Sequence, residues 1–254
     1  MSSRLAAGTE LVPGFEVLDH LKRTRVLDIY DVWSEERRAR CVAKTLRPDR
    51  LDDARARRAL AREATLLMSL THPHIVRCYE YIPRPRPAVV LETLKGATLA
   101  RLLEDRPRRR LPAADLGWLA LHLCSALSYL HRQPLLHLDL KPSNVISDAG
   151  QAKLIDLSIA RRPGRTKPGI GTPEYMAPEQ LNGGRVDTWT DVYGLGAVLF
   201  EAATGETPVA GASVRVVRRV PRAVADAIDG ALAPGPRERP TLDEVEAALE
   251  ALVD

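Results

Sequence analysis

The sequence predicts an α+β chain, a strand-rich first part carrying one helix followed by a larger helical part, and three patterns predict it. Between Phe15 and Leu46 apolar residues come in short clusters (Phe15, Val17 and Leu18; Ile29 and Val32; Val42 and Ala43) separated by charged turns, as strands require. From Leu116 to Leu130 they recur instead with a period of about 3.6 residues (Leu116, Leu119, Ala120, Leu123, Leu127, Leu130), which lays one buried stripe along a long helix. The third pattern is compositional: 254 residues with 45% hydrophobic and 28% charged content make an ordinary soluble chain, long enough for a sizeable core. Only Phe15 and Phe200 are phenylalanines, so Leu, Val and Ala build most of that core.

The remaining elements follow in order. Residues 51 to 70 read as a helix, charged on one face and apolar at Leu60, Leu66, Leu67 and Leu70. His72-Pro73-His74-Ile75-Val76 breaks it and opens another strand. Pro83 to Pro87 is a Pro/Arg turn, and Ala88 to Leu91 a strand leading into Glu92-Thr93-Leu94. After the long helix, Val192, Leu195, Val198 and Leu199 mark a second, more apolar one. Thr241-Leu242-Asp243-Glu244 has the form of a capping box, because Thr241 and Glu244 can each satisfy the other's free backbone donor. Leu242, Val245, Leu249 and Leu252 supply the buried stripe of the helix it starts. No internal repeat is evident.

Charge and cysteine usage exclude several classes. The formal net charge of +4 is compatible with anionic ligands but does not argue for nucleic acid, and no nucleic-acid partner is expected. Cys41, Cys78 and Cys124 are isolated and odd in number, so reduced thiols and a cytoplasmic location are expected. No run of about 18 apolar residues occurs, so no membrane span is expected, and the first residues lack a signal-peptide apolar region. Residues 1–10 read as a loose leader.

The chemistry is concentrated in His137-Leu138-Asp139-Leu140-Lys141-Pro142-Ser143-Asn144, which puts a carboxylate, an ammonium and an amide on one short loop. The carboxylate can take a proton from an attacking hydroxyl, the ammonium can neutralise a moving phosphoryl group, and the amide oxygen can hold a divalent ion. Phosphoryl transfer is mostly positioning plus charge neutralisation, so the set suits it. Twelve residues after Asn144, Asp156 adds a second carboxylate at the end of an apolar, strand-like run. Upstream, Cys41-Val42-Ala43-Lys44 is a short strand ending in a lysine. Nineteen residues later Glu63 lies in the helical stretch, where it can form an ion pair with that lysine. Downstream come Gly171-Thr172-Pro173-Glu174-Tyr175-Met176-Ala177-Pro178-Glu179, then Asp191, then Arg239-Pro240-Thr241.

In this order the parts resemble the eukaryotic-type (Hanks-type) serine/threonine protein kinase family, over about residues 11 to 252. The resemblance implies a two-lobed protein-kinase fold over residues 11–254, with a small, mainly β N-lobe (11–91), a hinge (92–96) and a larger, mainly α C-lobe (97–254). It implies ATP with Mg²⁺, Mn²⁺ being an admissible substitute, and protein substrates, with a regulatory partner as a further expectation. By resemblance Asp139 orients or deprotonates the acceptor hydroxyl and Lys141 stabilises the transferring group, while Asn144 and Asp156 hold the metal. Lys44, paired with Glu63, would meet the nucleotide phosphates. Ile29, Val42 and Ile146 would line the adenine slot, and backbone near Glu92 and Leu94 would bond adenine. Thr172 resembles the threonine that touches the catalytic aspartate and lysine, which favours serine or threonine as acceptor. Glu179 would pair with Arg239, Asp191 would anchor the catalytic loop, and His137 would pack structurally.

The chain departs from the family most in its phosphate-covering loop. Its three glycine positions are Lys22, Thr24 and Leu27. Two readings follow: Lys22, Arg23 and Arg25 compensate by binding phosphate through their side chains, or the loop has lost its grip. Leu138 replaces an arginine that binds activation-segment phosphate in many relatives, Leu157-Ser158 replaces Phe-Gly after Asp156, and Val42 narrows the adenine slot. A pseudokinase scaffold and a small-molecule kinase are therefore carried as alternatives. Two basic runs stay open: Arg106, Arg108, Arg109 and Arg110 read as a solvated loop or a docking patch, and so do Arg161, Arg162, Arg165 and Lys167 beside Thr166, a candidate phosphorylation site.

Overall fold

The structure, a computed structural model, describes residues 4–209 and 211–253. The chain divides into two compact units, one running to His72 and taking in Val76–Leu94, the other made of Pro73–Ile75 and the chain from Lys95 onward. The division between Leu94 and Lys95 falls inside the hinge expected at 92–96.

The first unit is a six-stranded antiparallel sheet and one helix. In chain order its elements are β1 (Glu10–Val12), β2 (Phe15–Arg23), β3 (Leu27–Ser34), β4 (Ala39–Leu46), α1 (Ala54–Met68), β5 (Cys78–Ile82) and β6 (Ala88–Glu92), with sheet order β1-β2-β3-β4-β6-β5. Alternation along β2, β3 and β4 buries Val17, Tyr30, Val32, Cys41 and Ala43 on one face. Helix α1 is shorter than the expected 51–70. The Asp53 carboxylate accepts the N–H groups of Arg55 and Ala56, both at 3.0 Å, and so fixes the helix start.

Two expectations change here. Of the expected leader, residues 1–3 lie outside the described residues, and the rest is tied to the sheet rather than loose. Gly8 N–H donates to Val17 O and Val17 N–H to Thr9 O, both at 2.9 Å. Leu5 packs on the sheet core, and its N–H donates to the Tyr30 hydroxyl at 3.1 Å. The strand expected from Ile75 begins instead at Cys78, because Ile75 pairs with Leu154 and Leu154 N–H donates to His74 O at 2.9 Å.

The second unit is mainly helical. It runs β7 (Ala97–Thr98), α2 (Leu99–Glu104), α3 (Ala113–Arg132), β8 (Val145–Asp148), β9 (Gln151–Leu154), β10 (Gly164–Arg165), α4 (Pro178–Leu181), β11 (Arg185–Val186), α5 (Thr188–Thr204), α6 (Val214–Val217), α7 (Arg222–Ala231) and α8 (Leu242–Glu250). Helix α3 packs on α5 and α8 through the predicted stripe from Leu116 to Leu130. Helix α5 is largely apolar and buried over most of its length, as a central helix must be. The capping box forms: Glu244 N–H donates to the Thr241 hydroxyl at 3.2 Å, and Thr241 N–H to the Glu244 carboxylate at 2.7 Å. Leu252 lies beyond the helix end and is half-buried. Among the described residues one helical stretch, Pro107–Arg132, is long and apolar enough to cross a membrane by length and composition alone, a test that the core helix of a folded domain also passes. Half of its most apolar window is buried inside the protein.

Candidate active site

The catalytic-loop candidates are assembled by a carboxylate from α5. Asp191, fully buried, accepts the His137 N–H at 2.9 Å and the Leu138 N–H at 2.8 Å, and its Oδ2 also meets His131 Nε2 at 2.9 Å. With its backbone held this way, Leu138 adopts a left-handed φ of 66°. That conformation costs a non-glycine residue about 1–2 kcal/mol. The Gln180 amide donates to Leu138 O at 2.9 Å and holds the turn from the other side. His137 is buried, and burial lowers its pKa. Its Nδ1 accepts the Asp139 N–H at 3.2 Å, which makes it a neutral packing group, as expected.

Above that turn the polar side chains close into one network. Thr172 O–H donates to Asp139 Oδ1 at 2.7 Å, and Lys141 Nζ donates to the same hydroxyl at 2.7 Å. Lys141 Nζ is also 2.8 Å from Asp139 Oδ2. Asn144 Nδ2 donates to Asp139 Oδ2 at 3.0 Å and to Asp139 O at 2.8 Å. Both amide hydrogens of Asn144 are thus directed at Asp139, which leaves its amide oxygen for another partner. Ile155 N–H donates to Asn144 O at 3.1 Å, so Asn144 lies beside Asp156, whose carboxylate accepts the Ser158 N–H at 3.0 Å. One amide oxygen and one carboxylate are hard donors. They fit a Mg²⁺-sized ion that takes its remaining ligands from phosphate and water. Ser158 does not take a positive φ where the family's glycine is free to do so. Ile146 lies on β8, half-buried, opposite Lys153.

In the first unit Lys44 Nζ is 2.8 Å from Glu63 Oε1, an ion pair between β4 and α1 with both side chains buried. The register of β3, β4 and β6 pairs Ile29 with Lys44, Lys44 with Val89, and Val42 with Leu91. Paired residues share a face, so Ile29 and Val42 stand on the face that carries Lys44, both half-exposed. Glu92 ends β6 with its N–H donating to Arg77 O at 3.0 Å and its carboxylate accepting the Arg77 N–H at 2.8 Å. Leu94 closes the unit, half-buried.

The glycine-free loop between β2 and β3 is a self-capped hairpin. The Thr24 hydroxyl accepts the Leu27 N–H at 2.8 Å and the Val26 N–H at 3.3 Å, while Thr24 N–H donates to Leu27 O at 2.8 Å. Arg23, expected as a phosphate ligand, is committed elsewhere. Its Nε and Nη2 bind the two oxygens of Asp28 at 2.7 and 2.8 Å, and His20 Nε2 lies 3.0 Å from the same carboxylate. The cause is burial: the Asp28 side chain is 1% exposed, and a buried carboxylate needs a counter-charge. Burial pushes the Asp28 carboxyl up, but the bonds from Arg23 and His20 outweigh it and hold it low. Lys22 and Arg25 are exposed, with no ion pair among the described residues.

The segment after Asp156 is locked into the second unit by a buried arginine. Arg239, 0% exposed, binds both Glu179 oxygens at 2.7 and 2.9 Å and the carbonyls of Trp189 and Ala233 at 2.8 and 2.9 Å. Burial raises the Glu179 carboxyl, but Arg239 and the Thr190 hydroxyl outweigh it, so its pKa is lowered. Sequence reasoning missed His131 and Gln180, which reach the loop only through tertiary packing.

A strand-borne lysine paired to a helix glutamate, with an aspartate–lysine–asparagine loop anchored by a buried aspartate, defines a protein kinase domain. The protein kinase domain model matches residues 24–249, and the chain belongs to that family. The probable serine/threonine-protein kinase SCO3848 of Streptomyces coelicolor is 34% identical over 228 residues, covering 82% of this chain and 33% of that protein. Serine/threonine-protein kinase PknB of Mycobacterium leprae is 37% identical over 183 residues, covering 67% and 29%. The DNA damage-responsive serine/threonine-protein kinase RqkA of Deinococcus radiodurans is 34% identical over 221 residues, covering 82% and 32%. The chain spans about a third of the length of these relatives. The crystal structure of a mutant form of the Mycobacterium tuberculosis PknI kinase domain superimposes with a TM-score of 0.79 at 23% identity, covering 99% of this chain and 100% of that one, which shows the protein-kinase fold.

Proposed function

We propose that this chain is a serine/threonine protein kinase that transfers the γ-phosphoryl group of ATP to protein hydroxyls, with Mg²⁺ as the preferred ion and Mn²⁺ as a substitute. The observation that carries the reading is the closed network of Asp139, Lys141, Asn144 and Thr172. In it the Asp139 carboxylate is held where it can accept the proton of an acceptor hydroxyl, and Lys141 supplies positive charge beside it. The Thr172 hydroxyl occupies both groups and supports a serine or threonine acceptor. Asn144 and Asp156 offer the metal oxygen ligands, and Lys44, steadied by Glu63, offers its ammonium to the phosphates. Three cysteines without a disulfide support a cytoplasmic location. Protein substrates, and a regulatory partner, are the partners this reading implies.

The Thr24 hairpin favours a second reading, a pseudokinase scaffold, because the loop amides that would face phosphate are already bonded. Transfer from labelled Mg-ATP to the chain itself and to a generic protein separates the two. Transfer by the parent that drops at least about 100-fold in Asp139→Asn supports the kinase. No transfer, with nucleotide binding absent in both Mg²⁺ and Mn²⁺, supports the scaffold.

A further inference from the structure

Arg108, Arg109 and Arg110 serve none of the roles above. We propose that they form a recognition site for a phosphorylated serine or threonine carried on a protein segment. The proposal takes from the kinase reading only the source of such groups; the binding itself requires no catalysis.

The loop is built rather than merely solvated. Arg108 (φ 58°, ψ 14°) and Arg109 (φ 54°) are consecutive non-glycine residues in the left-handed region. Such strain persists only where the surroundings over-determine it. Here they do. Leu111 N–H donates to Ala202 O at 2.8 Å near the end of α5, and Arg218 Nη1 donates to Leu111 O at 2.7 Å and Ala203 O at 3.2 Å. Gly205, itself left-handed at φ 84°, lies so close that a Cβ there would come within 2.3 Å of Arg108 O. A solvated loop needs neither the strain nor the clamp.

The same arginines line an open surface depression of about 450 Å³ together with Thr204, Val217 and a single carboxylate, Glu206. No described residue forms an ion pair with Arg108, Arg109 or Arg110, although the adjacent Arg106 is paired with Asp115 at 3.1 Å. Arg218 beneath them has its pKa lowered by burial and by the charge of Arg110, as expected where positive groups crowd. Arg215 and Arg219 are exposed on α6 and just after it. A phosphate monoester brings close to two negative charges and three acceptor oxygens, which planar guanidinium forks bind in pairs. A concave lining suits a phosphate on a protruding side chain better than a flat bilayer. Glu206 lies in the same lining and opposes any anion there, so the three arginines must outweigh it, and its carboxylate can accept a peptide N–H.

The test uses the full chain carrying Asp139→Asn, so that turnover does not enter. A short fluorescein-labelled peptide with one phosphothreonine is titrated beside its unphosphorylated twin. The expected result is a preference for the phosphopeptide that falls at least about tenfold in the combined variant Arg108→Gln, Arg109→Gln, Arg110→Gln at unchanged melting temperature. Arg109→Lys, which keeps the charge without the fork, should fall between the two. Equal affinity for both peptides, or a preference that the combined variant retains, overturns the site. Arginine-dependent binding to phosphatidylserine vesicles without phosphopeptide preference overturns it in favour of a membrane face. Phosphopeptide binding by a chain that transfers no phosphate sinks the kinase reading alone and leaves this site standing.

Discussion

The catalytic loop and the hairpin tip between β2 and β3 are both short, polar and free of glycine, yet they dispose of their backbone donors in opposite ways. In the catalytic loop the His137 and Leu138 amides are taken by Asp191, a carboxylate remote in sequence and buried in α5. The side chains of Asp139 and Lys141 are thereby left to meet Thr172 and Asn144. In the hairpin the Val26 and Leu27 amides are taken by Thr24, a neighbour, and Arg23 turns to Asp28. A remote anchor orders a loop and leaves its working groups presented. A local hydroxyl orders a loop by using the very amides that an anion would need.

The largest expected effect comes from Asp191→Asn, which places an amide donor against backbone donors. Transfer should fall about 100-fold, since a small misplacement of Asp139 suffices for that. Unchanged turnover would break the comparison, because the remote anchor would then not be what positions the loop. Arg239→Ala should destabilise the second unit by about 3–5 kcal/mol in urea unfolding, because Glu179 is left buried and unpaired. The same pair sets a pH dependence. Glu179 has its folded pKa lowered, so its contribution is fully present above the unfolded value of about 4.3 and is lost as pH falls through the lower folded value. The variant should lose that acid limb. Arg23→Gln should lower the unfolding midpoint of the first unit without weakening nucleotide binding, whereas Lys22→Gln with Arg25→Gln should weaken binding without moving the midpoint. The reverse pattern would restore Arg23 as a phosphate ligand. The smallest effect is that of Thr24→Gly, which frees two amides and should tighten nucleotide binding by about fivefold, a little under the free energy of one ordinary hydrogen bond. Affinity that stays the same would show that the hairpin amides do not limit binding.

Legibility in the sequence followed the range of each interaction. The apolar periods of α3 and α5 and the Thr241–Glu244 box are local, and all three formed where the sequence placed them. The Asp139 to Asn144 cluster is local too, and its side chains do converge. Lys44 and Glu63 are distant in sequence, but strand and helix patterns oriented both. The Arg23–Asp28 pair carries no sequence signal, because Asp28 lies between Leu27 and Ile29 on a strand whose buried side emerges only from the β3–β4 register. His131 and Gln180 carry no local signal: one is a polar residue near the end of a long helix, the other lies on a single-turn helix. Helix α7 escaped notice because Val224, Ala225, Ala227 and Ile228 are few, and two are alanines.

The residues Pro73–Ile75 give the chain an unusual order of assembly. They lie within the stretch that builds the first unit but bond in the second, with His74 O accepting from Leu154 N–H and Ile75 bridging the same residue. On the ribosome that partner emerges 80 residues after His74. A nascent chain that has completed β6 has therefore not yet made the strand that His74 O and Ile75 meet in the finished fold. Neither unit is a contiguous stretch of chain, so no single cut yields both intact.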